Sequence, residues 1–228
     1  IAGHETTAAV LTWTFFELSQ NPNILQKVQK EIDEVLEGRK PSFEDVSKLP
    51  YLRLCIAETL RMYPEPPLLI RRALDDDVLP AGGAGKQIFI PKGADIFIST
   101  WSMHRSEEFW EEPLKYNPDR FLKPFKNPNQ KSWGGYTPGS DRQSYPNEVN
   151  SDFAFLPFGG GMRKCVGDQF AVMESTATIV MILQRFDLNF AIPPEEVGMK
   201  TGATIHTDKG LMMTVSKRKN FFSTTNDK

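Results

Sequence analysis

Three consecutive glycines, a cysteine four residues on and then an apolar helix form the most constraining stretch of this chain. It reads Phe158-Gly159-Gly160-Gly161-Met162-Arg163-Lys164-Cys165-Val166-Gly167. Glycine tolerates backbone conformations closed to other residues and lets another group approach the main chain. From about Gly167 to Gln184, Phe170, Val172, Met173, Ala177, Ile179, Val180, Ile182 and Leu183 predict a helix. A thiol just ahead of that helix lies near its free N–H groups and positive dipole end, which favour a thiolate. Arg163 adds a charge-assisted donor for an anion. On these residues alone Cys165 reads as a redox thiol, a nucleophile, a metal ligand or a buried structural cysteine.

The rest of the chain reads as helices followed by short strands. Residues 1–20 carry Val10, Leu11, Trp13, Phe15 and Phe16 on a helix that ends at Asn21-Pro22. No capping residue precedes it, which reads as a helix cut at its start and the chain as a fragment of a longer protein. A second helix opens with Asn21 as cap and Pro22 in the first turn, and closes at Gly38. Ser42 and Asp45 open a short helical turn, and a third helix over 51–62 stops at Pro64. Ile88-Phe89-Ile90 and Ile96-Phe97-Ile98 flank Pro91-Lys92-Gly93 and predict a hairpin; Val78-Leu79 predicts another short strand. Gly82-Gly83-Ala84-Gly85-Lys86 predicts a turn. Pro80 stands where a phosphate loop needs its first glycine, and Gln87 where it needs Ser or Thr. Residues 107–157 are rich in Pro, Asn and Gly, and Lys123 to Asn150 reads as a surface insertion. Phe186 to Val215 predicts short strands and 217–228 a polar tail. The fold class is mainly α with small β-sheets.

Composition excludes several functions. Lys plus Arg is 27 and Asp plus Glu 29, a net charge of −2, so no basic arm for nucleic acid is present. Two cysteines exclude a disulfide scaffold and a zinc site built from several thiolates. His4-Glu5 does not open a His-Glu-x-x-His zinc motif, because the last position is Ala8. Cys55, between Leu54 and Ile56, reads as core, and His104 and His206 as hydrogen-bonded structural residues.

The pattern Phe-x-x-Gly-x-Arg-x-Cys-x-Gly, met at every position by Phe158, Gly161, Arg163, Cys165 and Gly167, resembles the haem-binding loop of the cytochrome P-450 monooxygenases. Three further segments are similar to motifs of that family. Glu58-Thr59-Leu60-Arg61 puts an acid and a base on one helix face, alone a solvated ion pair. With Pro118-Asp119-Arg120-Phe121, the resemblance implies a buried structural triad of Glu58, Arg61 and Arg120. Ala2-Gly3-His4-Glu5-Thr6-Thr7 resembles the oxygen-binding kink of the family's central helix. There Gly3 permits close approach of the haem, Thr6 offers a hydroxyl and Glu5 relays protons from solvent. Arg61-Met62-Tyr63-Pro64-Glu65-Pro66-Pro67, continuing to Arg72, resembles the turn from the scaffold helix into the sheet.

The resemblance implies the C-terminal half of the cytochrome P-450 fold, truncated at the central helix, over residues 1–228. Its parts are the central helix at 1–20, the scaffold helix at 51–62, the ligand loop at 158–167 and a helix at 167–184. The implied cofactor is haem b, iron protoporphyrin IX, with the Cys165 thiolate as axial ligand and metal-binding residue, and O2 as co-substrate. Arg163 and Arg72 would bind its propionates, with Phe158, Gly161, Gly167 and Gly3 around it. Thr6 and Glu5 would be catalytic, and Leu68, Leu69 and Ile70 would line a pocket for an apolar small molecule. Lys164 would offer a basic docking face to an electron-donor protein, a ferredoxin or a flavoprotein reductase. Asp152 to Phe158, Lys164 to Ala171, Pro146-Asn147-Glu148 and Gly202 to Thr207 resemble the carotenoid-ring hydroxylases of plant and algal plastids. That likeness places Thr204 and Ile205 near substrate and the protein in a plastid, with the endoplasmic reticulum membrane as alternative. Membrane association would come through the missing N-terminal part. The implied activity is insertion of one oxygen atom of O2 into a C–H bond, with this half alone inactive. The rival readings are a haem-thiolate isomerase or dehydratase, which has no need of Glu5-Thr6, and a non-catalytic haem-binding fragment.

Overall fold

The computed structural model describes residues 2–81, 85–140 and 143–218. Three of its four long helices come early: α1 (Ala2–Gln20), α2 (Pro22–Leu36) and α4 (Pro50–Met62), with the single turn α3 (Phe43–Val46) before the last. Two two-stranded antiparallel pairs follow, β1 (Leu68–Arg72) with β4 (Asp95–Ser99) and β2 (Asp77–Leu79) with β3 (Ile88–Ile90). The short α5 (Thr100–Met103) leads into a long irregular segment, and α6 (Asp168–Leu183) closes the helical layer. The end forms two more ribbons, β5 (Phe186–Phe190) with β8 (Met213–Lys217) and β6 (Met199–Thr201) with β7 (Ile205–Thr207). The fold is thus mainly α with small antiparallel sheets. Among the described residues no helix is long and apolar enough to cross a membrane.

The core lies where α1, α2, α4 and α6 meet. α6 buries Val172, Ser175, Thr176, Ile179, Val180 and Leu183, the stripe that a period of 3.6 dictates. α4 sits at the centre and buries its whole second half, from Cys55 through Met62. Its first turn is capped by another helix. The N–H groups of Tyr51 and Leu52 donate to the Glu31 carboxylate of α2 at 2.8 and 2.9 Å, satisfying donors a helix cannot satisfy itself. Trp13 of α1 stacks on Tyr63 at 4.1 Å between ring centres, and Tyr63 donates its hydroxyl hydrogen to Glu17 at 2.7 Å.

Three local expectations change. Asn21 does not accept a capping bond; its side-chain amide donates back to the Glu17 carbonyl and carboxylate, so Pro22 alone marks the start of α2. The strands flanking Pro91-Lys92-Gly93 do not pair with each other. Leu68 lies opposite Ser99 and Leu79 opposite Ile88, so residues 68–79 and 88–99 are the two arms of one long ribbon without register slip. The Pro91–Gly93 turn is a kink in one arm, where Gly93 at φ 82° and Ala94 bond the Ala73 backbone across the ribbon. The connection at the ribbon's end spans 80–87. Of the glycine-rich stretch there, Gly82, Gly83 and Ala84 lie outside the described residues, as do 219–228 of the expected polar tail.

The expected surface insertion belongs to the core. Trp133, Tyr136 and Tyr145 are buried, and Phe125, Trp133 and Tyr136 pack with Trp110, Phe121 and Phe155 as one aromatic cluster. Large rings at irregular spacing bury much apolar area without any periodic pattern. The Trp133 indole N–H donates to the Ser151 carbonyl at 2.7 Å, which ties the segment to the run entering the cysteine loop.

Candidate functional site

Glu58 and Arg61, one turn apart on α4, are 0% exposed. Arg61 Nε and Nη2 donate to the two Glu58 oxygens at 2.8 and 2.9 Å. Arg120 Nε and the Asn117 N–H reach Glu58 Oε1 at 3.0 and 2.9 Å. The remaining donors of Arg61 go to the carbonyls of His104, Pro113 and Lys115, and those of Arg120 to Glu111, Glu112 and Lys115. A buried pair is costly when lone pairs or protons are left over; here the carbonyls absorb them. Arg61 thus pins the 104–115 segment to α4. His104 carries the connection onward, its Nε2 accepting the Leu156 N–H at 2.8 Å. Burial, with the Arg61 charge adding to it, lowers the His104 pKa to about 3, so the ring is a neutral acceptor.

Leu156 begins the descent into the cysteine loop. Gly159 and Gly161 have φ of 73° and 66°, where a side chain would be strained. A single 3-10 turn at Gly161–Arg163 follows, and the Cys165 N–H donates to the Phe158 carbonyl at 2.9 Å. That bond closes the loop and holds Cys165 three residues before α6 begins. The thiol is exposed and unpaired, and Met162, Val166 and Phe170 beside it are exposed large apolar residues. Arg163 is exposed as well. Lys164, expected as a docking charge, is turned to its own loop. It bonds Glu148 at 3.0 Å and lies 3.6 Å from Asp168, which accepts the Tyr145 hydroxyl at 2.5 Å. Its charge is neutralised locally, so it offers no free basic patch. Among the described residues no three His, Cys, Asp or Glu side chains converge on a metal position. Cys165 can therefore act only as a lone donor amid exposed apolar side chains. That set suits a metal whose other ligands arrive in a flat apolar macrocycle, and the residues present fit haem.

The first turn of α1 is unbroken helix where a kink was expected. Thr6 Oγ1 donates to the Ala2 carbonyl at 3.0 Å, a bond within the helix, and a Cβ on Gly3 would meet nothing within 4 Å. Glu5 Oε1 is 2.9 Å from Thr204 Oγ1, across 199 positions of chain. Thr204 also lies 3.0 Å from His206 Nδ1. Thr204 and Ile205 are both buried, at 4% and 1% exposure, so neither presents its side chain to open space.

Strand alternation divides the β1 residues. Leu68, Ile70 and Arg72 share the exposed face with Phe97 of β4, while Leu69 and Arg71 occupy the half-buried face. Phe97 extends the apolar patch and was read from sequence only as a strand residue. Arg72 forks onto Asp95 at 2.7 and 2.8 Å. Arg71 makes no ion pair among the described residues and bonds only the Ile70 carbonyl.

Comparison with known proteins follows the same outline. A family model described as Cytochrome P450 matches residues 1–214. "Cytochrome P450 97B2, chloroplastic" of Glycine max is 54% identical over 223 residues, covering 96% of this chain and 39% of that protein. "Carotene epsilon-monooxygenase, chloroplastic" of Arabidopsis thaliana is 46% identical over 218 residues, 96% of this chain and 36% of its own length. "Protein LUTEIN DEFICIENT 5, chloroplastic" of the same plant is 45% identical over 218 residues, with coverage of 96% and 33%. The chain spans less than two fifths of the length of these curated relatives.

Proposed function

The chain belongs to the cytochrome P450 family, and on that premise we propose that it carries the haem-binding part of a plastid monooxygenase that hydroxylates a carotene ring. The observation that carries the reading is the exposed Cys165 thiol, hung from the Phe158 carbonyl in a glycine loop at the start of α6. Its two most informative relatives are named for carotene oxidation or lutein and are chloroplastic. Haem, held by the Cys165 thiolate, would supply the oxidation of a C–H bond by O2.

The chain's own residues supply the rest. Cys165 is the ligand, and the loop's tight turn at Gly161, with Phe158 and Gly167 on either side, keeps its sulfur outward. Arg163 is the exposed cation for a propionate. Arg71, with no ion pair among the described residues, is better placed for a second propionate than Arg72, whose fork Asp95 fills. Gly3 leaves room over the first turn of α1, where Thr6 can turn its hydroxyl from Ala2 toward a reacting oxygen and Glu5 can hold a proton for it. Leu68, Ile70 and Phe97 give an apolar face for a hydrocarbon substrate. Electrons come from a donor protein. The Glu58–Arg61–Arg120 centre fixes the loop's approach through His104 and Leu156.

The test is spectroscopic. The complete protein, reduced under carbon monoxide, is expected to show the red-shifted Soret band of thiolate ligation and, with a ferredoxin-type donor, to convert a carotene to its hydroxylated product. Cys165→Ser should abolish both. A histidine-like band in the unmodified protein would end the assignment.

A further inference from the structure

The turn ahead of β7 brings a hydrogen-bonded series of side chains against the start of α1. Thr204 Oγ1 is 2.9 Å from Glu5 Oε1 and 3.0 Å from His206 Nδ1. A hydroxyl carries a single hydrogen. A carboxylate at Glu5 only accepts, so it takes that hydrogen, and the threonine oxygen must accept from His206. The geometry therefore orders the bonds in one direction and protonates His206 at Nδ1. From this we propose that His206 and Thr204 form a proton-entry chain that supplies Glu5, a role for both residues that rests on the monooxygenase reading and deepens it.

The surroundings hold the chain in place. The Ile205 N–H, next to Thr204, donates to Glu65 Oε2 at 2.9 Å, and the Ile205 carbonyl accepts the Trp13 indole N–H at 2.8 Å. The Gly202 N–H closes the turn onto the Thr204 carbonyl at 2.9 Å. Trp13 is fixed in turn by its stack on Tyr63. Thr204 is buried, so its hydroxyl has no bulk water to trade with, whereas His206 is half-exposed and can exchange protons with solvent. Glu5 lies on the exposed side of the first turn of α1, the side the reading gives to cofactor and substrate. Thr204 thus joins a solvent-contacting base to the acid expected to deliver protons.

The transfer balances without electrons. An imidazolium at His206 gives its Nδ1 proton to Thr204 Oγ1 while Thr204 gives its own to the Glu5 carboxylate. One O–H bond forms and one breaks at the threonine. One proton has moved, and His206 is left neutral with its proton on Nε2 and the Thr204 hydrogen toward Nδ1; once Glu5 has passed its proton on, the hydroxyl turns back to the carboxylate and His206 takes a proton from water at Nδ1. The other ionisable groups nearby are Glu65 beneath the turn, His4 beside Glu5, and Lys200, which faces His206 across the ribbon and lies 3.9 Å from Asp208. Among the described residues none of them bonds Thr204.

The experiment uses the complete haem-loaded protein. In the resting ferric state, nitrogen-15 NMR should find the neutral His206 ring protonated at Nδ1. Thr204→Val should move that proton to Nε2, and Thr204→Ser should restore it. A merely structural threonine would leave the tautomer alone. In turnover, Thr204→Val and His206→Asn should raise hydrogen peroxide released per O2 consumed several-fold. The asparagine amide keeps a donor near the Nδ1 position but cannot pass its proton on, so packing is preserved while relay is lost. Unchanged ring nitrogens in Thr204→Val, or unchanged peroxide release in His206→Asn, would overturn the proposal. Absence of the thiolate band would instead overturn the monooxygenase reading, and the tautomer measurement would still decide whether the chain exists.

Discussion

At Glu58, Arg61 and Arg120 every guanidinium nitrogen has an acceptor, and the carboxylate between them takes four bonds. At Cys165 the thiol and the apolar side chains around it are exposed. The two regions are joined through His104 and Leu156, yet they are built on opposite rules. The first is closed: removing any member strands a buried charge. The second is open: its residues are fixed by backbone geometry, and their side chains contribute little to the fold. A site of this kind separates the cost of holding a loop in shape from the chemistry at its tip. Stability and cofactor ligation should then respond to different residues.

The largest expected effect tests that separation. Arg61→Ala leaves Glu58 buried beside Arg120 and frees the His104 and Pro113 carbonyls, while Lys115 keeps its bond from Arg120, a loss of about 3–5 kcal/mol for a broken buried pair. Arg61→Lys keeps the charge but cannot fork, and should recover only part of it. Denaturant midpoints of the complete protein should fall steeply for Arg61→Ala and stay near wild type for Cys165→Ser. Haem content should be lost in both. If Arg61→Ala keeps a wild-type midpoint and haem content, the closed centre does not support the loop.

How far these regions could be read from sequence follows the same division. Spacing alone made the acid and base of α4 a solvated pair; the family resemblance implied the buried triad with Arg120, and the geometry brings the three together. The carbonyls of His104, Pro113 and Lys115 that complete the centre have no residue preference and were not legible. The four long helices were legible from periodicity. The pairing of β3 with β2 and of β4 with β1 was not, because register depends on a facing arm whose Arg71, Arg72 and Asp75 to Asp77 hide its strand character. Phe125, Trp133 and Tyr136 were missed as core because their spacing follows no period. The partner of Glu5 lay at Thr204, too far along the chain for any local pattern to join them.

Glu65 stands between the two rules, buried but only half satisfied. One oxygen accepts the Ile205 N–H, and the other is buried without a partner among the described residues. Burial, with the nearby Glu5 charge adding to it, raises the Glu65 carboxyl from 4.5 to about 8. The folded protein thus holds a proton that an unfolded chain releases near pH 4.5. The stability this gives is complete below that pH, declines as pH rises, and is lost above about 8. Glu65→Gln keeps the shape and cannot ionise. Urea midpoints measured on both sides of this window should fall less with pH in the variant. Parallel profiles for wild type and variant would remove Glu65 from the account.

The smallest effect lies at the open side, in the choice between two adjacent arginines. Alternation along β1 sends Arg71 and Arg72 to opposite faces, so one strand cannot offer both to the same anion. Arg72 is held by Asp95 in an exposed fork, which solvent and salt screen, and its loss should barely move stability. Arg72→Ala should also leave haem retention unchanged, whereas Arg71→Ala should speed haem transfer to an apomyoglobin acceptor. Asp95→Asn sharpens the choice by releasing the Arg72 fork without removing it. If that change slows haem loss, or if Arg72→Ala hastens it, the fork opens to the cofactor and Arg72 is the propionate ligand after all. If only Arg71→Ala acts, the half-buried face of β1 is the one that meets the cofactor, and the apolar face of Leu68, Ile70 and Phe97 is left to the substrate.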